Sequence, residues 1–481
     1  MNHIIENATL VNEGKTSLAS VFVKDGIIEK IIPADGRDGA CPVSTTKDCR
    51  DGACPVSTTT DCKDVCPVST AQNVANYNVI DATGLLLLPG AIDDHVHFRE
   101  PGLTHKADIM SESRAAVAGG VTSFMEMPNT NPPTLTKQLL QDKYDLAAEK
   151  SCANYSFYMG ISNSNMDEVL KTDPRRVCGI KVFMGSSTGN MLVEDGGTLS
   201  TLFKEAPCLV AAHCEDDAII KANTADLESG VLRLESGVFP HPMIRNVEAC
   251  YKSSSKAVEL ATKYGGRLHV MHVTTEKELS LFRNDISLKD KKITAEVCLN
   301  HLWFSDKDYN RLGNLIKVNP AIKSESDRQA LRRALVDGRV DVIGTDHAPH
   351  TLEEKMKPYM STPSGTPSIQ HVLPCMIELA NQGVLSITKV VELMSHNPAT
   401  LFNIRRRGFI REGYYADLVL VDPHKPQIIS NSGILSKCGW TPYDGVGISS
   451  SVTHTFVNGE LVYHDGNVID DVRGMRLEFE R

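Results

Sequence analysis

The sequence predicts an α/β fold: a (β/α)8 TIM-type barrel with a small β-sandwich domain built from the N- and C-terminal segments. Three observations predict it. Between Pro89 and about Asn403, short apolar runs (TSFMEM, YSFYMG, GIKVFM, LVAAHC, LHVMHV, TAEVCL, DVIGTD) alternate with amphipathic stretches such as DRQALRRALVDG, the pattern of β/α units on a parallel sheet. Both ends of the chain instead alternate with period two around tight turns, in SVFVKDGIIEKII near the start and in ADLVLVD and VTHTFVNGELVYHDG near the end. Asp-Gly and Asn-Gly between such runs are hairpin turns. Finally, several of the central runs end in a histidine, lysine or aspartate, and in a barrel all such strand ends converge on one face.

These patterns place a small β domain at 1–88 with 404–481 and a barrel at 89–403, a span that suits about 250 residues plus loops. One stretch breaks the texture. DGACPVSTTKDCR, at 38–50, is followed at once by DGACPVSTTTDCK and then by the frayed copy DVCPVSTAQN, which puts Cys41, Cys49, Cys54, Cys62 and Cys66 in a short tandem repeat. The repeat has no C-x-x-C pairs and no apolar periodicity, so a loosely ordered surface insertion over 35–75 is expected, not a zinc, redox or metal-storage module.

Composition narrows the function classes. Of 481 residues, 41% are hydrophobic and 23% charged, the balance of a globular chain. Sixty acidic against 50 basic residues give a net charge of −10, which offers no field for nucleic acid. The longest aliphatic run, Leu85 to Leu88, falls far short of the roughly 20 residues that span a bilayer. The opening MNHIIENATLVNEG lacks the build of a secretory signal, and 13 cysteines without an export signal point to free thiols in a cytoplasmic protein. No G-x-G-x-x-G or Walker pattern occurs, so a phosphate cradle is not indicated.

The residues that carry chemistry begin with DHVHFREPG, where His95 and His97 lie two apart on an extended segment and project from one side. Lys181 in GIKVFM, His213 in VAAHCE, His272 in LHVMHV and Asp346 in GTDHAPH follow, each at the end of an apolar run. Singly, each has a bland reading: a hydrogen-bonded structural histidine, a solvated lysine, a helix-capping aspartate. Their joint placement at successive strand ends is what those readings leave unexplained. Four histidines, an aspartate and a lysine suit zinc or another divalent transition metal, and their number suits two ions. His269, His301 and His396 are expected to be structural, and Cys214, on the opposite strand face from His213, to be buried filler.

PGAIDDHVHFREPG, MPNTNPP at 127–133, GIKVFM, AAHCE, HVMHV and GTDHAPHTLEEK together resemble the cyclic amidohydrolases of the amidohydrolase superfamily, and among them the dihydroorotase family. The resemblance covers nearly the whole chain except the cysteine repeat. It implies two divalent metal ions, zinc, at the barrel mouth: one held by His95, His97 and Asp346, the other by His213 and His272. It also implies that Lys181, carboxylated by CO2 on its ε-nitrogen, bridges them. A metal-bound hydroxide is then expected to attack the amide carbon, with Asp346 passing the proton to the leaving ring nitrogen. Arg99 and Asn129 are implied to bind the carboxylate of dihydroorotate, with His350 in the same group and Asn319 as a further candidate.

The implied reaction is reversible hydrolysis of dihydroorotate to N-carbamoyl-aspartate in pyrimidine (UMP) synthesis, by a homodimer with no nucleic-acid or membrane partner. Hydantoinase (dihydropyrimidinase) and allantoinase are the alternatives, and a non-catalytic scaffold is a third reading. In PSGTPSIQH the sequence departs from the family stretch P-G-x-P-G-x-E-T, with Ser368 and Gln370 at a usual glycine and glutamate. HTLEEKMKPYM is expected to form a mobile cover.

Overall fold

The computed structural model describes residues 1–34, 76–185, 191–231 and 239–481. The cysteine repeat lies outside the described residues. The barrel wall starts with Ala91–Val96, parallel to Val121–Glu126, which is parallel to Asn154–Phe157. That strand resumes as Met159–Gly160 beside Ile180–Phe183, and the wall continues in parallel through Val210–His213, Leu268–Val270, Ile293–Cys298 and Val342–Gly344. First and last strands meet at a seam. His97 N–H donates to the His347 carbonyl at 2.7 Å, and Thr345 donates to Asp93 through its backbone N–H (3.1 Å) and its hydroxyl (2.6 Å).

The helices outside the wall follow the sequence signals. Glu325–Asp337 starts at Ser324, whose hydroxyl accepts from Asp327 N–H, and carries Glu325 and Asp327 in its first turn, where acidic residues complement the exposed N–H groups. Ala330, Leu331, Ala334 and Leu335 form its buried face, at the spacing a wall-packed helix requires.

Strands from both chain ends form one nine-stranded sheet. His3–Asn12 runs antiparallel to Lys15–Lys24 and parallel to Leu86–Pro89, which is itself antiparallel to Leu418–Asp422, the neighbour of Ser451–Val457. The sheet curls over a core that includes Ile5, Val21, Val23, Leu87, Leu418, Leu420 and Phe456. Its Asp25-Gly26 and Asn458-Gly459 turns have positive φ at both central residues (49° and 82°; 52° and 78°), the geometry that matches strand twist. The two turns touch: a Cβ on Gly26 would lie 2.8 Å from the Asn458 carbonyl oxygen. The sheet is tied to the barrel by Asn154, whose side-chain amide donates to Asp417 at 3.1 Å, and Asp417 is itself paired with the buried Arg407.

Inside the barrel, Ile92, Met125, Tyr158, Ala211, Met271 and Val342 pack with Phe402, Leu477 and Phe479. The C-terminal tail is bonded to the starts of the strands, with Leu477 N–H donating to Tyr155 O at 2.9 Å and Arg481 to Cys178 O at 2.8 Å. One end of the barrel is thereby covered, and the strands' C-terminal ends are left to form a pocket. No helix among the described residues is long and apolar enough to cross a membrane.

A buried ion pair braces the wall beside that pocket. Lys143 lies 2.6 Å from Glu126 Oε2 and donates to Met127 O at 3.0 Å, while Phe98 N–H donates to Glu126 Oε1 at 3.0 Å. Replacing Lys143 by Met strands the Glu126 carboxylate in the interior, and losing one partner of such a pair costs about 3–5 kcal/mol. Chemical denaturation of the variant is expected to show a loss of that order; a loss below about 1 kcal/mol would contradict the assignment.

Candidate metal centre and substrate pocket

A cavity of about 220 Å³ at the strands' C-terminal ends is lined by His95, His97, Lys181, His213, His272 and Asp346, with Arg99, Asn129, Asn319 and His350 to one side. All ten residues singled out from the sequence therefore meet in one pocket. Three of them leave their strands in the left-handed backbone region: Arg99 at φ 69°, His272 at 42° and Asp346 at 47°. Such non-glycine conformations cost on the order of 1–3 kcal/mol each; here they turn side chains inward where the strand direction would carry them past the site. Arg99 lies beyond the strand, which ends at Val96.

Within the cluster, Asp346 Oδ1 lies 3.0 Å from His97 Nε2 and 3.3 Å from His95 Nε2. The three form a group whose donor atoms can hold one ion. His213 Nδ1 faces His272 Nε2 at 2.8 Å, two ring nitrogens converging as a second ion would need. Each of three imidazoles has an acceptor at its far side. His95 Nδ1–H donates to Glu296 Oε1 at 3.0 Å, His97 Nδ1–H to Asn129 Oδ1 at 2.8 Å, and Glu215 Oε2 sits 3.2 Å from His213 Nε2. Acceptors so placed fix the tautomer that aims the opposite nitrogen at a metal. Glu215 is held by Arg245, and Glu296 also accepts from His272 N–H at 2.9 Å.

The charge states of three of the four rings fit that donor set. Burial drives His97 down to about 4 and lowers His213 and His272, so these rings present lone pairs at neutral pH. His95 is raised: burial opposes its charge, but the Glu296 and Asp346 carboxylates outweigh it. Although burial works against ionisation, His95, His97 and Lys181 hold Asp346 well below the usual carboxylate range. Lys181 is buried rather than solvated, its Nζ lies 2.9 Å from the Met271 sulfur and over the Phe183 ring, and burial lowers it to about 8. An amine so placed has a neutral fraction able to take up CO2, and Glu296 Oε2 nearby has no hydrogen-bond partner. The residues thus fit a two-ion centre bridged by a lysine carbamate.

The opposite wall is cationic. Arg99, 8% exposed, forms none of the ion pairs found among the described residues. Its Nε donates to Pro349 O at 3.0 Å, and its Nη2 lies 3.0 Å from His350 Nε2. Asn129 braces His97 through its Oδ1 and leaves its amide N–H2 for a ligand. Asn319 Oδ1 is buried without a partner.

Other expectations resolve as follows. His269 bonds Thr294 and Asp94, His301 bonds Pro320 O, and His396 bonds Gly408 O, all structural; Cys214 is buried, its thiol pushed up to about 12 by burial. The segment after His350 is pinned rather than mobile. Lys355 donates to the carbonyls of Lys317, Pro363 and Gly365, and Lys317 to those of Tyr359 and Thr362. Gln370 makes a paired amide contact, donating to Gly433 O and accepting from Leu435 N–H, both at 2.9 Å. A glutamate could not make the donating half. Ser368 Oγ donates to Thr345 O at 3.2 Å.

Sequence reading missed Glu215, Glu296 and Lys106. The first two had a signal: an acid inside or just after an apolar strand, in AAHCE and ITAEVC, is anomalous unless it serves a neighbour. Replacing Glu296 by Gln removes the carboxylate behind His95 and is expected to weaken zinc affinity about 10–100-fold. Competition with a chromogenic chelator measures this, and unaltered affinity would contradict the bracing role.

The family model described as the amidohydrolase family matches residues 86–462. A protein of Halobacterium salinarum named dihydroorotase is 35% identical over 392 residues, covering 81% of this chain and 89% of its own. The Bacillus subtilis protein of that name is 31% identical over 399 residues, covering 82% and 91%. Among solved structures, L-hydantoinase from Arthrobacter aurescens superposes with a TM-score of 0.85 at 25% identity, covering 99% of this chain and 100% of its own. A barrel of this topology, a mouth lined by this set of histidines, and a match over most of the sequence lead to one conclusion: the chain belongs to the amidohydrolase family.

Proposed function

We propose that the protein acts as a dihydroorotase, interconverting (S)-dihydroorotate and N-carbamoyl-L-aspartate. The observation that carries this reading is the unpaired, buried guanidinium of Arg99 facing the histidine cluster across the cavity. A buried cation without a counter-ion is costly, and a substrate carboxylate supplies the counter-ion in bidentate geometry. Dihydroorotate bears such a carboxylate. Hydantoin and allantoin do not, and although the likeness to L-hydantoinase supports a shared centre, those rings would leave Arg99 unmatched. The full ligand set likewise weighs against a non-catalytic scaffold.

In this reading His95, His97 and Asp346 would hold one divalent ion and His213 and His272 the other, with Lys181, once carboxylated, as a further ligand. Bound there, zinc ions supply acidification of water and polarisation of the amide carbonyl. The protein does the rest. Arg99, the Asn129 amide and His350 fix the substrate carboxylate, so the scissile amide is presented to the histidine side of the pocket. Asn319 Oδ1, an acceptor lacking a donor, takes a ring N–H. Asp346, ionised throughout the physiological range, accepts the proton of the attacking water and returns it to the departing ring nitrogen; the reverse sequence closes the ring.

The same reading includes a place in pyrimidine synthesis, a cytoplasmic location, a homodimer, and a division of the chain into a β domain (1–88 with 404–481) and a barrel (89–403). The test is turnover of dihydroorotate against hydantoin and allantoin, before and after chelation and zinc re-addition. Zinc-restored activity on dihydroorotate is expected, with Arg99→Ala lowering kcat/KM about 10–100-fold, the worth of a charged hydrogen-bond set. Preference for hydantoin or allantoin, or indifference to the arginine, would overturn the reading.

A further inference from the structure

Behind the cationic wall, His350 meets more donors than a neutral imidazole can accept. Lys106 Nζ lies 3.0 Å from its Nδ1; Arg99 Nη2 and the Ser364 carbonyl oxygen each lie 3.0 Å from its Nε2. An ammonium only donates, so Nδ1 beside it must carry a lone pair, and the ring proton then sits on Nε2, where Ser364 O accepts it. The opposite tautomer would satisfy Arg99 alone, setting an N–H against the ammonium and a lone pair against the carbonyl. Two contacts out of three favour the first arrangement.

We infer that Lys106 is a positioning residue: it fixes the tautomer of His350 so that Nε2–H faces the pocket as a donor to the substrate carboxylate. This rests on the dihydroorotase reading for the identity of the anion. Lys106 itself stands outside the cavity lining. It is held by Glu354 Oε1 at 3.1 Å, and Glu354 is in turn fixed by a reciprocal cap with Thr351. Glu354 Oε2 is 3.5 Å from His350 Nδ1, too long to take a proton from it in place of the lysine. The ring's backbone is anchored as well, with Trp440 Nε1–H donating to His350 O at 2.7 Å.

The arrangement leaves Nε2–H and the Arg99 guanidinium side by side at the pocket, a clash that a carboxylate oxygen accepting from both removes. It also keeps the ring neutral. The titratable groups facing His350 are Arg99, Lys106 and Lys355, all cationic, and the single carboxylate Glu354; burial and the three cations oppose protonation.

The test combines two readouts on the zinc-loaded protein. 15N-histidine NMR, with the His350 resonances assigned by their absence in His350→Asn, reads the tautomer directly and without substrate. The expected result is a protonated Nε2 and an unprotonated Nδ1 from pH 6 to 9. In Lys106→Met, both nitrogens are expected to shift toward exchange averaging. KM for dihydroorotate should rise about tenfold at pH 8, with kcat within about twofold. Lys106→Arg, which keeps a cationic donor, should restore most of the parent KM. A protonated Nδ1 in the parent protein, or parent-like 15N shifts and KM in Lys106→Met, overturns the inference. If the parent protein turns over no dihydroorotate, the substrate reading fails while the NMR arm still decides the tautomer.

Discussion

Closure of the barrel between its first and last strands is the constraint on which the rest of the site depends. His95 and His97 come from one side of that seam and Asp346 from the other, some 250 residues apart in sequence, and only the seam brings their donor atoms within reach of one ion. Thr345, adjacent to Asp346, is clamped to Asp93 by both its N–H and its hydroxyl. Burial pushes the Asp93 carboxyl up to about 8, so the clamp is made by a largely neutral group and adds no competing anion beside the histidines. The acceptors behind the rings, Glu296, Glu215 and the Asn129 amide, extend the same logic outward: each restrains rotation of one imidazole, and the pocket is rigid before any ligand enters.

Charge is segregated across the cavity. Lone-pair donors and the Asp346 carboxylate occupy one wall; Arg99, with Lys106 and Lys355 behind His350, occupies the other. A ligand that is anionic at one end and carries an amide at the other matches this division, which is why the guanidinium without a counter-ion speaks to substrate more strongly than the shape of the cavity does. The segment 429–443 supports the cationic wall from outside, through Gln370, Glu112 and the His350 carbonyl. The small β domain's half of the chain thus reaches the rim of the pocket.

Much of this was legible in the sequence, for physical reasons. Apolar runs ending in His, Lys or Asp marked the strand ends, because a buried strand tolerates such residues only where it opens onto something that uses them. The Asp-Gly and Asn-Gly turns marked the hairpins through their need for positive φ. What stayed hidden depends on backbone departures and on long-range pairing. The inward turn of Arg99 stayed hidden because spacing carries no sign of a left-handed residue after Val96. The stretch from His350 to Met360 read as a cover because a lysine that donates to three carbonyls outside it looks, in sequence, like a solvated charge. Gln370 read as a departure until its partner segment, more than 60 residues later, supplied both halves of an amide contact. Lys106, Glu215 and Glu296 act through other side chains, and no spacing rule addresses that.

The most direct test of the account is a crystal structure of the zinc-loaded protein with N-carbamoyl-aspartate or dihydroorotate bound. The account predicts two ions among His95, His97, Lys181, His213, His272 and Asp346, and the ligand's ring-adjacent carboxylate on Arg99, Asn129 and His350, with its amide toward the ions. A ligand whose carboxylate contacts the ions while Arg99 stays unpaired, or a single ion with unmodified Lys181 pointing away from it, would contradict it.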